Sequence, residues 1–175
     1  MTVSDDPHPA DLLIHELIAR PRPATEQEIR LIIDRIASAP FNRDMQNVPV
    51  AQRGPGFRGI IPGAHMTSLA LHFIQHVEVE RQWATGTTID AYLESLHRAA
   101  RDPEVQIALY RQWGMRDIAV AIVPTKRVLD SRQMGPGALP NLLVVYRADR
   151  GMLISGYQFS SMDNVRIPKD AVWLK

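Results

Sequence analysis

The densest chemical signal in this chain is histidine. Three of its six histidines, His65, His72 and His76, fall within twelve residues of the stretch HMTSLALHFIQHVEVERQW. Histidine is the side chain whose ordinary pKa lets a proton move near neutral pH, so a cluster points to general acid–base chemistry. His72 and His76 stand four residues apart, the spacing of neighbours on one helix face, and Glu80 continues the series. Two chemistries use that pattern. One is metal ligation by His72, His76 and Glu80, although the zinc-protease motif needs Glu directly after its first histidine and Phe73 stands there. The other is metal-free cleavage of RNA, whose 2′-hydroxyl is an internal nucleophile, so that the protein supplies only a base, an acid and a cation. For that chemistry the catalytic candidates are His72, His76, Arg81, Tyr157 and Ser160. Arg58, Lys126, Arg127 and Ser161 are the candidates for holding substrate. No cofactor and no bound metal enters this reading.

A single helix over His65 to Trp83 is predicted to carry the histidines. Its core face would hold Leu69, Phe73, Ile74 and Val77, with His65, His72, His76 and Trp83 on the shoulder. Ahead of it, Asp11 is a candidate cap for a helix Leu12 to Ala19. Thr25 and Glu28 form a capping box for a second helix, which Pro40 stops. These elements make residues 1–46 an N-terminal helical extension. Residues 47–64, rich in glycine and proline, read as a loop or linker whose glycines and Arg58 suit a phosphate. After the histidines, Thr87 with Asp90 caps a helix from Ile89, and Asp102-Pro103 starts another toward Trp113. The period then changes. Ile118 to Val123, Leu142 to Tyr146 and Met152 to Phe159 read as strands, the last two joined through Ala148-Asp-Arg-Gly, and Val165–Ile167 and Val172–Leu174 are further short candidates. Residues 65–175 thus form an α+β unit. The fold class is α+β, with N-terminal helices packed against a small antiparallel sheet of three to four strands.

Composition narrows the function classes. There is no cysteine, which removes disulfides, thiolate nucleophiles and cysteine-ligated metal. No apolar run is long enough to span a membrane, and the acidic start lacks the regions of a signal peptide. The expected location is therefore the cytoplasm, or a target cell's cytoplasm after delivery, with no membrane partner. Net charge is +1, yet residues 1–80 hold seven Lys/Arg against ten Asp/Glu, and residues 81–175 thirteen against nine. The basic second half suits a phosphate-bearing ligand but lacks the dense stripe of a duplex-DNA binder. Neither a P-loop nor a nucleophile elbow is present.

The histidine-bearing segment, the following Gly-Thr-Thr-x-x-x-Tyr-Leu helix and the late strands LLVVYRADRGMLISGYQ resemble the ribonuclease toxins of the barnase–EndoU–colicin–RelE fold group. The similarity covers about residues 65–165. It implies a metal-independent endoribonuclease, a bacterial toxin or effector domain whose partners are RNA and a cognate inhibitor protein. It also implies that His72 or His76 matches the helix histidine of that group, and Tyr157, Ser160 or Ser161 its late-strand residue. The alternatives are a non-catalytic protein-interaction module and a metal-dependent hydrolase using His72, His76 and Glu80. For the ribonuclease reading, Tyr157 must reach the histidine shoulder, which strict alternation along its strand opposes and a bulge near Gly156 would permit.

Overall fold

A computed structural model describes residues 6–47, 65–112 and 114–175 of the protein. The Gly/Pro-rich loop, Arg58 included, lies outside the described residues. Two helices come first, α1 (Pro9–Ala19) and α2 (Glu26–Ser38), then a short hairpin pairing of β1 (Met45–Asn47) with β2 (His65–Thr67). The histidine segment follows as α3 (Ser68–Phe73) running into a π-helix (Ile74–Val79), and then α4 (Ile89–Arg101). The remainder is β3 (Gln106–Tyr110), β4 (Ile118–Pro124), the single turn α5 (Thr125–Val128), β5 (Asn141–Arg147), β6 (Met152–Phe159) and β7 (Val172–Trp173). The five late strands make one antiparallel sheet in the order β6-β5-β4-β3-β7. The class is α+β as expected, with one strand more than the three to four predicted.

Both faces of this sheet are covered. On one face lies the larger core, where Leu96 and Tyr92 of α4 meet Leu142, Val144 and Leu153, and where Leu13, Ile14, Leu17, Ile32 and Ile36 of the N-terminal helices join them. The other face carries Tyr110, Ile118, Val120, Leu143, Val145 and Phe159 under the C-terminal segment with Val165. Central strands buried on both faces read as continuous apolar runs, which is what Ile118–Val123 and Leu142–Tyr146 are.

Local signals worked where a side chain can satisfy a helix end by itself. The Thr25–Glu28 capping box forms in full, with bonds of 3.2 and 3.0 Å. At α4 the cap is Thr88, accepting from Ala91 N–H, while the Thr87 hydroxyl donates to Ala84 O instead. Asp11 does not cap α1. His8 does, and Asp11 is buried, accepting from the Tyr146 hydroxyl and from Arg35.

The helix expected after Asp102-Pro103 is strand β3. Its Ile107 and Leu109 enter the larger core while Ala108 and Tyr110 enter the other, and the whole strand pairs with β4. A short apolar run is compatible with either period, and pairing with β4 decides between them. The histidine helix is also shorter than predicted. His65 is exposed in β2, Thr67 caps α3, and the helix ends where Arg81 takes a left-handed φ of 54°. Leu69 and Val77 are buried as expected, with Phe73 and Ile74 half-buried. Trp83 lies beyond the helix, bridged to Met134, and its indole donates to Ser95.

Gly156 of β6 lies under α4, where a Cβ would clash with both methyl carbons of fully buried Leu96. Overpacking a tight interior costs ~1–3 kcal/mol. Gly156→Ala is therefore expected to lose about that much stability in a urea titration. A loss below ~0.5 kcal/mol would show that Leu96 has room to move.

Candidate active site at the edge of the sheet

The site forms along the outer edge of β6, where the sheet has no further strand among the described residues. Outward-facing backbone groups there need partners, and most of them receive one. Leu153 N–H donates to Pro40 O at 2.8 Å and Leu153 O accepts from Asn42 N–H at 2.7 Å. Gly156 O accepts the Tyr92 hydroxyl at 2.5 Å. At Gln158 the side-chain amide of Gln82 acts as a substitute strand, accepting from Gln158 N–H at 2.8 Å and donating to Gln158 O at 3.0 Å. Gln158 returns the bond from its own amide to Gln82 O at 2.9 Å. The chain segment after the π-helix is thereby fastened to β6.

That fastening holds the histidines against the strand. His76 Nδ1 lies 2.8 Å from Glu80 Oε2, and Glu80 Oε1 accepts from Gln75 at 3.1 Å. His76 Nε2 is 3.5 Å from His72 Nδ1, which in turn is 3.4 Å from Ser155 Oγ. The four groups make a series, Glu80–His76–His72–Ser155. A carboxylate at Nδ1 assigns the proton of neutral His76 to that nitrogen and leaves Nε2 as acceptor for His72 Nδ1–H. His72 then keeps its own Nε2 lone pair. The π-helix produces the unusual end of this segment, with Glu80 N–H reaching Gln75 O five residues back.

Tyr157 reaches the pair through a bulge. Tyr146 pairs with Leu153 and Val145 with Ser155, so Ile154 is the extra residue. The bulge lies two residues before Gly156, where it was expected. It puts Leu153, Gly156 and Gln158 toward the larger core and Ser155, Tyr157 and Phe159 toward the second face. The histidines meet Tyr157 from beyond the strand edge, and the His76 and Tyr157 rings stack with centroids 5.3 Å apart. Phe41 closes the other side, 5.7 Å from the His72 ring.

Two clefts of about 620 and 680 Å³ adjoin along a ridge that includes His72, Ser155, Tyr157 and Asn164. The first is floored by sheet residues such as Leu143 and Val145 and rimmed by Arg147, Arg150 and Arg166. The second holds His76, Glu80, Gln82 and Ser160. Arg147 is paired with Asp149 and Arg150 with Asp44. Arg166 has no ion-pair partner among the described residues and acts electrostatically on Tyr157. Burial raises the Tyr157 pKa, Arg166 opposes that rise and Glu80 adds to it, so the phenol keeps its proton at neutral pH.

The structure therefore brings together His72, His76, Tyr157 and Ser160. It separates the others. The Arg81 side chain is exposed and lines neither cleft, and its carbonyl accepts from Gly137 N–H at 2.9 Å. Ser161 is exposed, with its hydroxyl on Asn164. Lys126 and Arg127 line a different groove beside Arg98 and Arg101. Sequence reasoning missed Gln82, Gln158 and Arg166, since an isolated amide or arginine carries no spacing signal. Glu80 appeared there only as a metal ligand. Its carboxylate instead continues the series through His76, and among the described residues no group of three His, Cys, Asp or Glu side chains is placed to hold a metal ion. No helix among the described residues is long and apolar enough to cross a membrane. No protein-family model, curated protein or solved structure matches the chain.

Burial pushes the His72 pKa from 6.5 down to about 4, with His76 adding to the fall and Glu80 opposing it. The unfolded chain then binds a proton that the folded chain refuses, so stability drops as pH falls from about 6.5 and levels off below about 4. The full effect is on the order of 3 kcal/mol. Urea titrations at neutral pH and near pH 4 should show His72→Gln losing less stability than the wild type by roughly 2–3 kcal/mol. Equal losses would mean that the His72 ring is solvated.

Proposed function

We propose that the protein is a metal-independent endoribonuclease, with His72 as general base and the phosphodiester seated on the ridge between the two clefts. The observation that carries this reading is the Glu80–His76–His72 series opening beside Tyr157, with Arg166 at hand. Each cleft falls in the usual size range of small-molecule sites, ~300–1,000 Å³, so one nucleoside on either side of a phosphate is a fitting occupant.

His72 takes the proton of the 2′-hydroxyl as that oxygen bonds to phosphorus and the bond to the 5′-oxygen breaks. A base with so low a pKa is weak in the empty site, but a phosphate anion brought beside the ring favours the protonated form and raises it. His76 shares the acquired proton through the contact to His72, and Glu80 neutralises the charge. Tyr157, kept protonated by burial, supplies the proton to the departing 5′-oxygen. Arg166 holds the phosphate oxygens as negative charge accumulates on them. The products are a 2′,3′-cyclic phosphate and a free 5′-hydroxyl, so no external water or metal hydroxide is consumed in the first step.

Purified protein should cleave single-stranded RNA and leave the 2′-deoxy equivalent intact, and the activity should survive a strong chelator. His72→Ala should lower the rate by ~10²–10⁴-fold and Tyr157→Phe by ~10²-fold, whereas Arg81→Ala should have little effect. RNA left intact by the wild-type chain would end this assignment. Activity lost to a chelator and restored by zinc would move His72, His76 and Glu80 to metal ligation.

A further inference from the structure

Four cations converge at a place that the histidine site does not use. Arg98 and Arg101, three residues apart in the last turn of α4, line a groove of about 490 Å³ with Lys126 and Arg127 of α5. All four side chains are exposed. The carboxylates beside them are partly engaged by backbone. Asp102 Oδ1 accepts from Glu104 N–H, and Asp130 Oδ1 accepts from Arg132 and Gln133 N–H. Arg127 stands 3.5 Å from Asp102, whose side chain is 9% exposed, and 3.7 Å from Glu104, and Arg98 stands 3.8 Å from Glu94; all are long, and the two pairs with exposed glutamates are of little worth. Arg101 and Lys126 have no ion-pair partner among the described residues. The carbonyl end of α4 accounts for Arg98 and Arg101 as helix-end charges but not for Lys126 and Arg127.

One chain segment contributes to both the groove and the histidine cleft. Residues 130–140 run between them, with Gln133 lining the groove and Gly137 and Leu139 lining the cleft. Pro124 pairs with Asn141 and Asn141 with Phe159, so α5 starts two strands in from the point where β6 leads into Ser160. At about 4.8 Å between neighbouring strands, that separation is ~10 Å. One polyanion strand can therefore lie on both.

We infer that the groove formed by Arg98, Arg101, Lys126 and Arg127 is a second binding surface, which takes the phosphate backbone of single-stranded RNA flanking the linkage in the histidine cleft. The choice of RNA rests on the ribonuclease reading above. Repeated phosphates match a row of exposed cations. Among the described residues no aromatic side chain lines the groove to stack a base, so its contribution is independent of sequence.

The test uses the full chain and a single-stranded 2′-O-methyl RNA, which cannot be cleaved because its internal nucleophile is blocked. Binding is followed by fluorescence anisotropy between ~50 and ~200 mM salt. Arg101→Ala/Lys126→Ala should bind ~10-fold more weakly at the lower salt and show a log–log salt slope shallower by ~1.4, about 0.7 for each lost phosphate contact. Its cleavage of a dinucleotide should match the wild type while KM for long RNA rises. A double variant that binds the oligonucleotide as the wild type does would overturn the inference, as would a wild type that ignores the oligonucleotide but binds polyglutamate, the mark of an acidic protein partner. The two readings separate cleanly. RNA bound through the groove but not cut leaves the groove standing without the ribonuclease, and RNA cut with no effect of the double variant leaves the ribonuclease without the groove.

Discussion

The free edge of β6 is the constraint on which the functional side of this molecule depends. A strand with one unpaired side presents amide and carbonyl groups that are costly to bury and hazardous to expose. Here backbone at Pro40 and Asn42 satisfies Leu153, a tyrosine hydroxyl satisfies Gly156 O, and the Gln82 amide satisfies Gln158. Three different pieces of chain are drawn to one edge. Two of them frame the histidines, with Phe41 against His72 on one side and Gln82 just past the π-helix on the other.

The histidines in turn are held under electrostatic tension. His76 is 6% exposed, and the His72 ring lies against it in a stacked arrangement with centroids 5.6 Å apart. Burial and the neighbouring His76 both lower the His72 pKa, and the carboxylate of Glu80 bonds to His76. Their environments therefore differ, although the two groups are chemically identical.

The N-terminal helices support this arrangement from behind. Asp11 of α1, Arg35 of α2 and Tyr146 of β5 are joined by hydrogen bonds of 2.5 to 3.0 Å. A buried carboxylate left without those donors would cost far more than the bonds contribute, so the network fixes how α1 and α2 approach the sheet. Pro40 and Phe41, which cover the β6 edge, follow α2 directly. The position of α2 thereby bears on the wall of the histidine cleft.

The existence of helices α1, α2 and α4, the three longest strands and the clustering of histidines at His72 and His76 could be read from the chain alone. These features are local: capping boxes, apolar periodicity and residue type act over a few residues, and tertiary packing reinforced them. Tyr157 and Ser160 were legible as candidates because they carry hydroxyl groups on or just after the late strand. What the tertiary structure decided was every pairing across distance. β3 became a strand because β4 offers it a full register, and the extra residue at Ile154 set which face Tyr157 takes. Glu80 became the partner of His76 in place of a ligand position, Arg166 arrived from a loop with no pattern of its own, and Lys126 and Arg127 went to another groove. Local propensity carries no information about which distant backbone groups remain unsatisfied, and it is their satisfaction at the edge of β6 that brought the site together.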